Sequence, residues 1–188
     1  AVAQKASGAQ VQAQCRAVRQ TLKDAFQLRM VPGDALSATS AATQFGMLCS
    51  SCHGVSGRGD GPAGKALKPP PVSFHDAERM SEVAPSLAFH TLTFGIPGTP
   101  MASFDVLSTR DRWNLAFYVV ALRHGTPGAA ASGEQPDAVR FWGPPAKQAE
   151  LSDKELLEQL KRSGLDDAAS AAGLRYLRTS APFAVAAT

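Results

Sequence analysis

Apolar positions recur at three- and four-residue steps in several separate stretches of this chain. Val11, Cys15, Val18, Leu22 and Phe26 fall on one stripe of a helix, which Pro32-Gly33 stops. Residues 41–48 predict a short helix with Phe45 on its inner face. Ser108 opens the next clear helix, with Asp111 three residues on as an imperfect capping box. Trp113, Ala116, Phe117, Val120 and Ala121 form its apolar stripe. Arg123, His124 and Gly125 close it, basic residues where the helix dipole favours them. So much apolar surface needs a partner, and the 41–48 helix is the natural one.

Residues 126–145 are rich in Pro, Gly, Ala and Ser and predict a linker. Beyond it, Ser152 and Glu155 form a capping box, Leu156, Leu157 and Leu160 face inward, and Gly164 ends that helix. Asp166 or Asp167 starts a second helix through Leu174 and Leu177. This helical pair is too short to stand alone, so it is expected to dock on the preceding helices or on another part of the protein. The predicted division is 1–38, N-terminal helix and linker; 39–125, main domain; 126–149, linker; 150–188, helical hairpin. Every predicted element is α-helical.

The length of 188 residues suits one domain or a small domain with attachments. No apolar run approaches the length that spans a bilayer, and no signal peptide is visible; Ala1 is expected to follow a cleaved leader or a trimmed start. The net charge of +3, with mixed signs, is a weak hint of an acidic partner and fits a solvated surface better. No nucleic-acid motif and no internal repeat is present.

The chemistry concentrates in Cys49-Ser50-Ser51-Cys52-His53. C-x-x-C-H is the attachment signature of a c-type haem: each thiol adds to one vinyl group and the imidazole reaches the iron. A zinc site would need a second ligand pair, but the remaining cysteine is Cys15 alone. A thioredoxin-like pair would need a βαβ context, which is missing. Cys15 itself, on an apolar stripe, is expected to be a buried thiol; pairing between chains is the alternative.

Met101, in the loop Gly95-Ile-Pro-Gly-Thr-Pro-Met-Ala-Ser-Phe104, is the expected sixth iron ligand. A Gly/Pro-rich loop holds a thioether rigidly, and methionine ligation raises the potential. Met80, His75 and His90 compete for that role, Met80 from a polar segment that reads as exposed or structural. His124 closes a helix instead. The loop 54–64 is dense in glycine, which the sequence attributes to close approach of backbone to haem. It lacks the strand-to-helix context and Lys-Ser/Thr ending of a phosphate loop. A carbonyl of the stiff segment Lys68-Pro69-Pro70-Pro71 is expected to accept the second imidazole N–H of His53; the sequence does not single out which. His75, Asp76, Glu78 and Glu82 could form an iron-binding cluster, though a solvated charged loop explains them better.

The run from Ala42 to Gly125 resembles a class I c-type cytochrome. The matching parts are the Phe45 helix, Cys49 to Gly54, Gly57 to Pro62, the Pro69 segment, Gly98-Thr-Pro-Met101 and Trp113 to Tyr118. Thr43 departs from the pattern: many such modules have Gly six residues before the first haem cysteine, so looser or offset helix packing is expected. The resemblance implies an all-α fold, a class I cytochrome c core with an extra N-terminal helix and a C-terminal helical hairpin. It implies one covalent haem c, with Cys49, Cys52, His53, Met101, Pro69, Pro70, Pro71 and Trp113 around it.

A narrower resemblance is to the extracytoplasmic domain of cytochrome c/FTR1-family iron permeases. It rests on residues 74–79, 93–99, 101–104, 107–119, 151–156, 174–178 and Ala181-Pro182. The permease part, with its Arg-Glu-x-x-Glu motifs, is absent from this sequence. This likeness implies an electron carrier linked to Fe(II)/Fe(III), a membrane permease as continuation or partner, and a periplasmic location. The alternative is a soluble periplasmic carrier for an oxidase or dehydrogenase with no iron role; either way a redox protein is the expected partner. No residue set suggests bond-making on an organic substrate, so no enzyme is expected. An open haem reacting with peroxide or a gas would follow only if Met101 did not bind.

Overall fold

The computed structural model describes residues 31–129, 135 and 137–183, and single helical positions between 10 and 25. The chain divides into two compact units, Ala1–Met30 and Val31–Thr188. In the first, the described positions Gln10, Val11, Gln14, Cys15, Ala17, Val18, Thr21 and Ala25 are helical, and all are exposed. Cys15 is therefore an exposed free thiol, not the expected buried one. Periodicity shows which residues share a face; it does not show that anything covers it. Leu22 and Phe26 lie outside the described residues.

The described residues of the second unit form helices and loops, with no strand. Helix α1 (Ala38–Leu48) starts at Ser37, whose side chain accepts from the Ser40 N–H. α2 (Ser50–His53) follows at once, then α3 (Ala77–Ser81), α4 (Pro85–Phe94) and α5 (Thr109–Ala121). Helix α5 is the spine, packing against both α1 and α4. Ser108 caps it, accepting from the Asp111 N–H, while its hydroxyl donates to Asp111 Oδ2 at 2.6 Å. Asn114 of α5 accepts from the Ser37 N–H at 3.0 Å and so holds the start of α1. Phe89 of α4 stacks on Trp113 with ring centroids 4.2 Å apart.

Thr43 is exposed, and the buried small residue of α1 is Ala41. The departure expected to loosen or offset helix packing thus falls on the solvent side.

The stretch expected to be linker contains α6 (Asp137–Trp142) and α7 (Pro145–Gln148). Val139 is fully buried there. Flanking Pro, Gly and Ala hide these helices, because each is too short to show a period. Helices α8 (Asp153–Arg162) and α9 (Asp167–Thr179) form the hairpin, α8 with the predicted capping box and α9 capped by Asp166. Val139, Leu156, Leu160, Leu174 and Leu177 make its core.

The hairpin docks on the α1–α5 helices. Leu36 N–H donates to Pro182 O at 2.9 Å, and Ser86 N–H to Ala149 O at 2.8 Å. Asp153, 1% exposed, binds His124 Nε2 and Arg178 Nε, each at 2.6 Å. Burial alone would raise the Asp153 carboxyl pKa, but the His124 hydrogen bond and the Arg178 charge hold it below the usual range. Residues predicted as main domain and hairpin therefore share one compact unit.

Candidate cofactor site

Helix α1 stops at Cys49, whose N–H still donates to Phe45 O at 2.9 Å. Cys49 O then accepts from the N–H groups of Cys52 and His53, at 3.2 and 2.8 Å. One tight turn thus carries two thiols and an imidazole into the wall of a single cavity of about 380 Å³. Both cysteines are free thiols.

Pro69, Pro70 and Pro71 line a second stretch of that wall, and Met101 a third. The Met101 loop is pinned on itself and on α4. Ile96 N–H donates to Met101 O at 3.0 Å, Met101 N–H to Thr99 Oγ1 at 3.2 Å, and Phe104 N–H to Leu92 O at 2.7 Å. The rest of the lining is nearly all apolar.

His53 Nδ1 lies 3.4 Å from Val72 O, and the ring stacks on Phe74 at 4.8 Å. The carbonyl that orients the imidazole is therefore Val72, one residue beyond the three prolines where it was expected. With Nδ1 engaged, Nε2 remains for a ligand. Burial lowers the pKa of His53 and the Val72 carbonyl partly restores it; the neutral ring is the ligating form. Burial, and then the charge of Cys52, push the Cys49 thiol up to about 11. A thiol held protonated is a poor exchange nucleophile, which disfavours the thiol–disulfide reading of Cys49.

The glycines of the 54–64 loop are not among the cavity-lining residues. A Cβ on Gly61 would lie 2.5 Å from Ser51 O, and one on Gly64 would lie 2.4 Å from Cys52 O. Their close approach is to the backbone of the Cys-x-x-Cys turn, not to the cavity as expected. They brace the turn from behind.

Trp113, expected at the cofactor, is not in the lining either. It is 1% exposed and belongs to the core against Phe89. An indole on the buried stripe of α5 fills the core rather than the pocket. Met80 is 3% exposed and lines the cavity, so of the two readings, exposed or structural, the structure excludes the first. Asp76 caps α3, which turns Met80 inward.

His75 Nε2 donates to Ser56 O at 2.8 Å, and Glu82 pairs with Lys154. The suggested cluster of His75, Asp76, Glu78 and Glu82 is not formed: among the described residues no three His, Cys, Asp or Glu side chains could hold a metal ion together.

Sequence reasoning missed Arg79, the sole Asp, Glu, Lys or Arg in the cavity lining. It also missed Phe74 and Val72. The one available signal for these was their position just after a stiff proline segment. The donor set fits a covalently held haem: paired thiols, an adjacent imidazole, a thioether, and apolar walls for a flat macrocycle.

The family model for cytochrome c matches residues 38–123. No curated protein matches, so the comparisons bring no relative to the permease resemblance. Among solved structures, a chain of a Kuenenia stuttgartiensis reducing HAO-like protein complex is similar. It is 18% identical, with 60% of this chain and 57% of that chain covered and a TM-score of 0.41. This chain thus spans just over half of that one, a likeness too remote to bear on function. The matched stretch holds the thiols, the imidazole and the thioether of the cavity, and supports a c-type cytochrome domain over residues 38–123.

Proposed function

We propose that the cavity holds one haem c and that the protein is a one-electron carrier. Cys49 and Cys52 supply the thioether links, and His53 and Met101 the two axial ligands. The observation that carries this reading is their convergence, from separate segments, on one apolar cavity. The haem supplies a one-electron iron couple when bound. The chain does the rest. Val72 and Phe74 set the imidazole plane. The apolar walls exclude water. The hydrogen-bonded 95–104 loop keeps the thioether in place. Arg79 offers the one Lys or Arg cation of the lining, suited to an acidic edge of a porphyrin.

Were His53 and Met101 both to hold the iron, the chain would itself supply its two ligands, which favours electron transfer over ligand chemistry. An extracytoplasmic location belongs to the same proposal. Coupling to an iron permease rests on residue resemblance alone; sequencing the encoding DNA past the Thr188 codon tests it, and several membrane-spanning segments there would support it.

The central test is optical. Loaded wild-type protein should keep its haem through acid-acetone extraction, and Cys49→Ala with Cys52→Ala should release it. Met101→Ala should lose the red absorption band of thioether bound to ferric iron, bind cyanide at once, and drop in potential. Retention of that band in Met101→Ala would remove Met101 as ligand.

A further inference from the structure

Residues 77–88 supply Arg79, Met80, Val83, Leu87 and Ala88 to the cavity lining. The C-terminal part supplies nothing to it, yet it meets this one segment at three points. Ser86 N–H donates to Ala149 O at 2.8 Å. Lys154 Nζ pairs with Glu82 Oε1 at 3.0 Å. Arg123 Nη1 donates to Ala77 O at 3.2 Å and lies 3.5 Å from Asp153 Oδ2, on the first residue of α8.

The three contacts differ in weight. Helix α3 has five residues, too few to be stable alone, so its place is set by what holds it. Met80 holds it by apolar packing, which is non-directional. Lys154 and Glu82 are both exposed, and such pairs contribute little. Ser86 lies beyond α3, in α4. The Arg123 contact reaches α3 itself, at the carbonyl of its first residue, and it has a buried anchor. Asp153 is buried and is fixed in turn by His124 and Arg178.

We infer that Arg123 is a positioning residue for the cofactor wall: anchored on Asp153 of the hairpin, its guanidinium holds α3, and with it Arg79 and Met80, in place at the cavity. This rests on the haem reading. Docking of the hairpin then sets how closed the wall is. A loosened wall admits water, and water favours ferric iron, with its extra positive charge, over ferrous, so the potential falls. His53 and Met101 come from other segments, so the ligation bands should stay.

The test uses haem-loaded protein and two readouts. One is the ratio of ferrous to ferric haem at a solution potential fixed at the wild-type midpoint. The other is hydrogen exchange at the N–H groups of Met80 and Val83, which bond to Asp76 O and Met80 O. Arg123→Met keeps the apolar stem and removes the donors. It should lower the ratio at least about threefold and speed exchange at both amides about tenfold. Arg123→Lys, which keeps a cation and a donor, should recover most of both. Leu160→Val thins the hairpin core without touching Arg123; it should lower the melting temperature and leave both readouts as in the wild type. Faster exchange with an unchanged ratio would overturn the inference, because the wall would not reach the haem. A lower ratio with unchanged exchange would overturn it too, because Arg123 would act by charge alone. So would Leu160→Val matching Arg123→Met in both readouts, an effect of general stability. Absence of covalent haem in the wild-type chain would end the haem reading and this inference with it; the other outcomes leave that reading standing.

Discussion

In the C-terminal part, Val139, Leu156, Leu160 and Leu177 are all 0% exposed, and α6, α8 and α9 complete a core from their own side chains. In residues 35–122, the core of Phe45, Met80, Leu92 and Val119 borders a cavity of about 380 Å³. The first part tolerates a buried charge cluster, Asp153 with Arg178 and His124, at its contact with the rest. The second keeps Asp, Glu, Lys and Arg out of its cavity lining except for the exposed Arg79. A region that closes its own core can spend polar groups on fixing its position. A region that leaves space for a ligand must keep the walls apolar until the ligand fills it.

The largest effect should come from leaving that space empty. At about 24 cal/mol per Å³, a void of this size costs at most about 9 kcal/mol, since water enters the mouth. That is as large as the whole stability of an ordinary domain. The Cys49→Ala/Cys52→Ala chain, made without haem, should lose much of its far-UV helical signal. Hydrogen exchange should show α1 and α4 unprotected first, with α8 and α9 protected longest. Simultaneous loss in all four helices would mean that the two regions are one cooperative unit and would break the comparison.

Asp153→Asn attacks the other region. It leaves Arg178, 1% exposed, without its counter-charge, a loss of about 3–5 kcal/mol in denaturant titrations. The haem spectrum should not move. The pH dependence has a definite sign. Asp153 has a depressed pKa in the folded state, so its contribution is complete above the unfolded value of about 4 and is lost as pH falls through the lower folded value. Wild-type stability should therefore decline below about pH 4, and Asp153→Asn should remove part of that decline. An unchanged acid profile would show that Asp153 is not the group responsible.

Gly61→Ala tests how the Cys-x-x-Cys turn is supported. The new Cβ would meet Ser51 O at 2.5 Å, so backbone must shift, at a cost of about 1–3 kcal/mol. Thermal melts of the loaded protein should show it, together with a shift in potential as the His53 turn moves. A melt unchanged within error would mean that the loop does not brace the turn.

These contacts mark where sequence reasoning stops. Cys49, Cys52 and His53 were legible because five consecutive residues carry the whole signal. Ser108 with Asp111, and Ser152 with Glu155, were legible because a cap is a local bond. The helical class followed from periods of three and four. Val72 was not legible: its carbonyl reaches His53 across 19 residues, and only the folded loop decides which carbonyl arrives. Arg79 and Met80 are neighbours in sequence, one exposed and one buried, yet both line the cavity. A three-dimensional wall can draw on several faces of a short helix, and no period predicts that. The face of Cys15 shows the converse: Val11, Cys15 and Val18 share a stripe, and all three are exposed.

The smallest effect should come from Ser152→Ala. The Ser152 side chain accepts from the Glu155 N–H, and Glu155 Oε2 accepts from the Ser152 N–H at 2.9 Å. Loss of the hydroxyl removes one half of this box and should cost about 1 kcal/mol. Asp153 is the next residue, the first of α8. If the cap positions the Asp153 carboxylate between His124 and Arg178, the two substitutions share one structural cause. Their double variant should then fall short of the summed losses by at least about 0.5 kcal/mol. Strict additivity would show that the buried charge cluster holds Asp153 without help from the helix cap. The polar fixing of the C-terminal region would then reside in the charges alone.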